Sequence, residues 1–460
     1  MPITLRQLSS IWGEPYNKNH SNLNVPIGTI TTDSRKLTKG SFFVPLLGEN
    51  HDGHFYINEA YKRGAQATIV SEKCTLPIPD NLTYWRVKDT LMAFQELALL
   101  HRRSLVSPVI AITGSVGKTT TRELVHSALR SLGPILSTSG NNNNDVGVPL
   151  TLLRADSNHV AIVIEMGMRG LGEIERLSKC ASPDIAIITN IGSSHMSRLG
   201  TREKIAQAKS EITSFLNPDG VLIIPAGDSV LENAVGLRWK GRIIRVDLHV
   251  NTDERQVNKD KNTDFLGSLN LNDWSISFQD HKFKLPLEGV HNARNFMLSL
   301  AVASEVKVPL ESIGDFPLEL PAGRGQMFKI GAINVMDQTY NSSPESVMAA
   351  VDLLATKPGR RFAVLGNMLE LGVKSVDLHR EVVDYAVKKG LDGLVIFVKG
   401  PEAEAMQGAA NSLKYVEVVS SPEKAFFILK NWLRSGDFLL LKASRQVALE
   451  RLLPLLKDHY

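Results

Sequence analysis

Short continuous apolar runs alternate with helical patterns along almost the whole chain. The clearest run is Val109-Ile110-Ala111-Ile112-Thr113, which predicts a buried strand, followed by a Gly-rich turn and a helix from Lys118 to about Leu132. Further strands are expected at Val160–Ile164, Asp184–Thr189 and Val221–Ile224, with a helix at Leu298–Val306. Before this lies a smaller α/β pattern: a strand at Phe42–Leu46 after a turn at Gly40, a helix at Asn58–Arg63 ending at Gly64, and a strand at Ala67–Val70. Pro77 and Pro79 mark a loop near its end. After Pro321 the alternation resumes, with strands expected at Asn334–Met336, Arg361–Leu365, Gly393–Val398 and Phe438–Leu441 and helices such as Ser346–Ala355 and His379–Lys388. Strands that are apolar throughout belong in parallel sheets covered on both faces. The fold class is therefore α/β, with a polar surface excursion expected from Asn251 to Asp264.

Composition narrows this picture without redirecting it. A chain of 460 residues corresponds to about three domains at roughly 150 residues each. Lys+Arg 52 against Asp+Glu 48 leaves a net charge of +4, which argues against nucleic acid as a partner. Cys74 and Cys180 lack metal-site spacing and suit a reducing compartment. Met1 to Trp12 carries no basic stretch followed by an apolar one, and no apolar run approaches the ~18 residues of a membrane span. A cytoplasmic protein without a membrane span, acting as a monomer, is expected.

The strongest chemical signal is Thr113-Gly114-Ser115-Val116-Gly117-Lys118-Thr119-Thr120, placed after a strand and opening a helix. In that context backbone N–H groups and the helix N-terminus cradle phosphates, Lys118 reaches the β- and γ-phosphates, and Thr119 ligates Mg²⁺. Two residues separate Gly114 from Gly117, which is tighter than the common form of this loop. Glu165 ends a strand, where an acid either holds Mg²⁺ or caps a helix. His195 follows the strand Asp184–Thr189 and is either a surface residue or a metal ligand beside Glu165 in sheet order. Lys209 reads as an ordinary helix-surface lysine. Asn292, Asn295 and Arg324 suit nucleotide contacts, or caps and solvated charge. Tyr340-Asn341-Ser342-Ser343-Pro344 leads into a helix, and Lys442-Ala443-Ser444-Arg445 follows the last strand, where it binds an anion or begins a helix.

Taken in order, these residues resemble the Mur ligase family over nearly the whole chain, from Thr32-Asp33-Ser34-Arg35 to Lys442-Ala443-Ser444-Arg445. Gly140 to Pro149, with its Asn141–Asn144 run, Glu165-Met166-Gly167, His291-Asn292-Ala293-Arg294-Asn295 and Gly323-Arg324 carry the resemblance. Tyr340 to Pro344 and Val364 to Gly372 resemble the members that add D-alanyl-D-alanine. Departures from the family pattern stand at Gln338, Ser342-Ser343 and Asn367.

The resemblance implies three domains: 1–107 for the UDP end of the substrate, 108–320 for ATP on the phosphate loop, and 321–460, Rossmann-like, closing over the site. It implies that Ser34, Arg35, Asn143, Asn144, Tyr340, Asn341, Lys442, Ser444 and Arg445 contact substrate, and that Asn292, Asn295 and Arg324 contact nucleotide. Two Mg²⁺ ions are implied, one on Thr119 and Glu165 and one served by His195, with Lys209 carried as a carbamate. Lys118, Lys209 and His195 are the implied catalytic set. The implied activity joins D-alanyl-D-alanine to the tripeptide carboxylate of UDP-N-acetylmuramoyl-tripeptide through an acyl phosphate. A ligase adding a single amino acid, a nucleotide-switch NTPase and a nucleotide-binding scaffold are the alternatives. The junction Pro321-Ala322-Gly323-Arg324 is expected to be a hinge, with Arg324 and Lys442 beyond reach of Lys118 until ligands close the third domain.

Overall fold

A computed structural model describes residues 3–17, 23–250, 263–314, 318 and 320–459. Most of the expected polar excursion, residues 251–262, lies outside the described residues. Three separate sheets follow one another along the chain. The first is wholly parallel, in the order β1 (Ile30–Thr31), β2 (Ser41–Phe43), β3 (Ala65–Ser71), β4 (Thr83–Val87). The expected strand Phe42–Leu46 stops at Phe43, just before Pro45, which has no N–H to give a ladder. β4 and the helix Thr90–Arg102, capped by Asp89, are additions to the sequence reading.

The central sheet contains β5 (Val109–Thr113), β6 (Ile135–Ser137), β7 (Ala161–Glu165), β8 (Ile185–Ile188), β9 (Val221–Pro225), β10 (Arg242–Val250), β11 (Phe265–Asn270), β12 (Ser275–Phe278) and β13 (His281–Lys284). Its order is β13-β12-β11-β10-β9-β8-β5-β7-β6, parallel from β6 to β11 and antiparallel in the last two pairings. The apolar strands bury both faces. Ile110 and Ile112 join one core with the helices Lys118–Leu129 and Val290–Glu305, while Val109 and Ala111 join the other with Glu173–Ala181 and Arg202–Ser210. The helix expected at Leu298–Val306 begins at Val290 and therefore includes the His291–Asn295 cluster. Polar residues at one end of a helix hide its periodicity.

The third sheet runs β14 (Gln326–Ile330), β15 (Ile333–Gln338), β19 (Phe438–Lys442), β16 (Arg361–Gly366), β17 (Gly393–Phe397), β18 (Tyr415–Val418), antiparallel only at β14–β15. Helices cover both of its faces. Trp274, on the turn between β11 and β12, packs against both the central core and the core of the third sheet. No helix among the described residues is long and apolar enough to cross a membrane.

Candidate active site

The carboxyl ends of β5, β7 and β8 converge on one place, where parallel α/β sheets bind ligands. β5 runs straight into the phosphate loop. Gly114 has φ +152, and a Cβ there would lie 1.9 Å from Thr189 Oγ1, so only glycine lets the loop pass this close to β8. Gly117 (φ +85) starts the helix Lys118–Leu129, and a Cβ on it would sit 2.9 Å from the Asn295 amide. Asn190, just past β8, fixes the loop from the other side: its carbonyl accepts from Ser115 N (3.1 Å) and its Oδ1 from Val116 N (3.0 Å). Thr189 Oγ1 and Asn190 Nδ2 both donate to Val116 O, at 2.6 and 2.8 Å.

Lys118 Nζ folds back and donates to Gly114 O at 2.8 Å. Burial of its ammonium lowers its pKa; Glu165 opposes this and Arg324 adds to it. Glu165 is itself buried. Its carboxylate accepts from Thr119 Oγ1 at 2.7 Å, Asn143 Nδ2 at 2.8 Å and Arg122 Nη1 at 3.3 Å. Among the described residues no three His, Cys, Asp or Glu side chains gather into a metal cage. A hydroxyl beside one carboxylate next to a phosphate loop instead suits a hard cation that keeps most of its waters and shares phosphate oxygens. Thr119 and Glu165 fit that description.

His195 and Lys209 differ from the reading of the sequence. β5 lies between β7 and β8, so Glu165 and His195 flank the phosphate-loop strand and do not adjoin in sheet order. His195 Nδ1 pairs with Glu370 Oε2 of the third unit at 2.6 Å. Burial and the charge of Lys209 lower its pKa, while Glu370 raises it. Lys209 is no surface residue: it is 1% exposed, because the helix Arg202–Ser210 turns that face toward the core. Burial, and then the like charge of Lys118, hold its amine well below the ordinary lysine value.

A cavity of about 1110 Å³ joins the central and third units. Ser115 to Thr120, Asn143, Glu165, Asn292, Asn295, Arg324, Tyr340, Asn341 and Lys442 all line it. Lys118, Arg324 and Lys442 thus share one cavity, contrary to the open arrangement expected from the hinge. The physical reason is docking: Glu345 and Glu370 of the third unit bond to Ser193 and His195 of the central one. The Arg324 guanidinium stacks 3.6 Å from the Tyr340 ring centroid. Lys442, 4% exposed, donates to Asn341 O at 3.1 Å, and burial pushes its pKa down to about 7. Its charge adds to burial in holding His291, also on the cavity wall, at about 4.

Other expected residues stand off the cavity wall. Ser34 and the exposed Arg35 are in the first unit, where Arg35 pairs with Asp33 at 2.9 Å. Asn144 Oδ1 accepts from Gly147 N, Ser444 Oγ accepts from Leu369 N, and Arg445 pairs with Glu450. Sequence reasoning gave no role to Thr189, Asn190, Ser193 or Glu345. A Thr-Asn pair directly after a strand was the available signal for the first two. Glu345 is 152 positions from Ser193 and carried none.

The pattern described as "Mur ligase family, catalytic domain" matches residues 26–100, "Mur ligase middle domain" matches 112–303, and "Mur ligase, glutamate ligase domain" matches 323–445. The UDP-N-acetylmuramoyl-tripeptide–D-alanyl-D-alanine ligase of Synechocystis sp. is 35% identical over 434 residues, covering 93% of this chain and 91% of that protein. The chain belongs to the Mur ligase family. Two solved relatives agree in three dimensions. A MurF from Acinetobacter baumannii superposes with a TM-score of 0.85 at 29% identity, over 100% of this chain and 99% of that one. The MurF ligase from Thermotoga maritima in complex with ADP gives 0.80 at 28% identity, over 93% and 97%. This Mur ligase is an ATP-dependent enzyme that forms peptide bonds.

Proposed function

We propose that this Mur ligase joins the amine of D-alanyl-D-alanine to the terminal carboxylate of UDP-N-acetylmuramoyl-tripeptide, at the expense of ATP. The observation that carries this is the shared cavity, which sets a phosphate loop opposite a buried lysine and the Tyr340-Asn341 turn of the third unit. The similar protein from Synechocystis bears that activity in its name. Residues 1–107 take the UDP end, with Ser34 and Arg35 in contact with it; 108–320 take ATP; and 321–460 close over both and bring the dipeptide. Cys74 and Cys180 are free thiols, which suits a reducing cytoplasm.

ATP and the tripeptide are both substrates, and both are anionic where they meet. The carboxylate oxygen attacks the γ-phosphorus, the bond to the β–γ bridging oxygen breaks, and ADP leaves an acyl phosphate. The amine then attacks the carbonyl carbon, loses a proton, and inorganic phosphate departs. Lys118 and the loop amides lie where the phosphates need counter-charge. Asn292 and Asn295 line the cavity, Asn295 against Gly117 of the loop, and would contact the nucleotide; Arg324 is held by its stack on Tyr340. Thr119 and Glu165 would hold a first magnesium ion. His195 and Lys209 would serve a second, Lys209 as a carbamate, since burial favours the uncharged amine, the form that takes up carbon dioxide. When bound, these ions supply charge neutralisation between carboxylate and γ-phosphate. The third unit excludes water from the acyl phosphate.

The test is ADP release with each substrate in turn omitted. Release that needs both the tripeptide nucleotide and D-alanyl-D-alanine is expected. Equal release with a single D-amino acid would move the enzyme to another branch of the family, and release without any amine acceptor would point to a hydrolase.

A further inference from the structure

One carboxylate of the third unit reaches the phosphate loop of the central unit through a single intervening residue pair. Glu345 sits in the first turn of the helix Pro344–Ala355. A glutamate there ordinarily caps its own helix, but that task is already filled: Ser343 accepts from Ser346 N, and Ser346 answers to the Ser343 backbone. Glu345 turns outward instead and accepts from both donors of Ser193, the backbone N–H at 2.6 Å and Oγ at 3.0 Å. Approach is close enough that a Cβ on Gly192 would lie 2.9 Å from the Glu345 carboxyl carbon. Gly192 N then donates to Ser115 Oγ at 2.9 Å, inside the phosphate loop. A parallel contact braces the same segment: Glu370 takes His195 Nδ1 at 2.6 Å and its carbonyl accepts from Ser197 N at 3.0 Å. His195 (φ +67) and Glu370 (φ +64) both hold left-handed backbone at this junction, a conformation that costs energy unless surrounding contacts enforce it.

We infer that Glu345 is a positioning residue for phosphoryl transfer: by gripping Ser193 it makes docking of the third unit a condition for the working shape of the phosphate loop at Ser115. The inference rests on the ligase reading above and deepens it. It assigns a reason for linking the two units at this point. The loop that handles ATP is completed only when the unit that brings the amine is in place. A bond to a charged carboxylate in a partly enclosed contact is strong enough to matter for such a coupling.

Steady-state ADP release by the full chain tests this with Glu345→Ala, Glu345→Gln and Ser193→Ala. Glu345→Ala should lower kcat about ten-fold or more, with the KM for the amine changed less than about two-fold. Glu345→Gln, which keeps a carbonyl for Ser193 N and an amide facing Ser193 Oγ, should recover most of that loss. Ser193→Ala should add little in the Glu345→Ala background, because the two act as one contact. Wild-type kcat in Glu345→Ala would overturn the inference, as would equal losses in the Ala and Gln variants or additive losses with Ser193→Ala. All variants are compared with the parent on whichever amine supports turnover. A failure of D-alanyl-D-alanine as substrate would therefore correct the proposed function without deciding the role of Glu345.

Discussion

Glu165→Gln separates two tasks that one buried carboxylate performs. Glu165 and the Arg122 side chain are both about 2–3% exposed and 3.3 Å apart. Removing one partner of a buried ion pair costs about 3–5 kcal/mol when the other is left alone. Arg122 is not left alone, because Glu123 and Gly140 O remain bound to its guanidinium. Glutamine also keeps an oxygen for Thr119, and Asn143 can turn its amide to meet the new one. The expected loss is therefore about 1–3 kcal/mol. ADP formation should fall by roughly 10²-fold or more, and the magnesium concentration for half-maximal rate should rise. Three sheets need not unfold together, so hydrogen exchange at amides of β5 and β7 is the proper stability readout. Adding Arg122→Met should not restore protection, because it also takes the guanidinium away from Glu123 and Gly140 O, and should leave activity low. Full protection in Glu165→Gln would refute the charge-balance argument. An unchanged magnesium requirement would refute the metal assignment.

Lys118→Ala should reduce ADP formation by roughly 10²–10³-fold with circular dichroism unchanged, since among the described residues its ammonium bonds only to carbonyls of its own loop; near-normal turnover would remove the ATP site from this loop. Lys209→Ala should abolish activity, and added acetate or formate should return part of it if a carbamate is the working form; full activity without additive would exclude that role. Lys442 has a folded pKa of about 7 against an ordinary 10.5, so between those values the unfolded chain binds the extra proton and stability rises with pH. Lys442→Met should therefore stabilise the fold most below pH 7 and progressively less toward pH 10.5, as thermal melts across that range would show; a gain independent of pH would mean the lysine is not buried as a charge.

Sequence alone determined what depends on neighbours along the chain. The first four residues of β5 form an apolar run that suits a covered parallel strand, and Gly114-Ser115-Val116-Gly117-Lys118 reads as a phosphate loop where a strand feeds it and a helix leaves it. Those local rules also place β16, β17 and β19. The helix at Val290 was half hidden, because its first turn carries the polar cluster that faces the cavity. Tertiary structure alone decided the rest. Lys209 looks like any helix lysine until packing buries it near Lys118, where desolvation lowers its pKa. The order β8-β5-β7 put the phosphate loop between the strands that lead to Glu165 and His195. Glu345 and Ser193 met across 152 positions because two units dock, and docking is a property of surfaces that no local pattern of apolar and polar residues encodes.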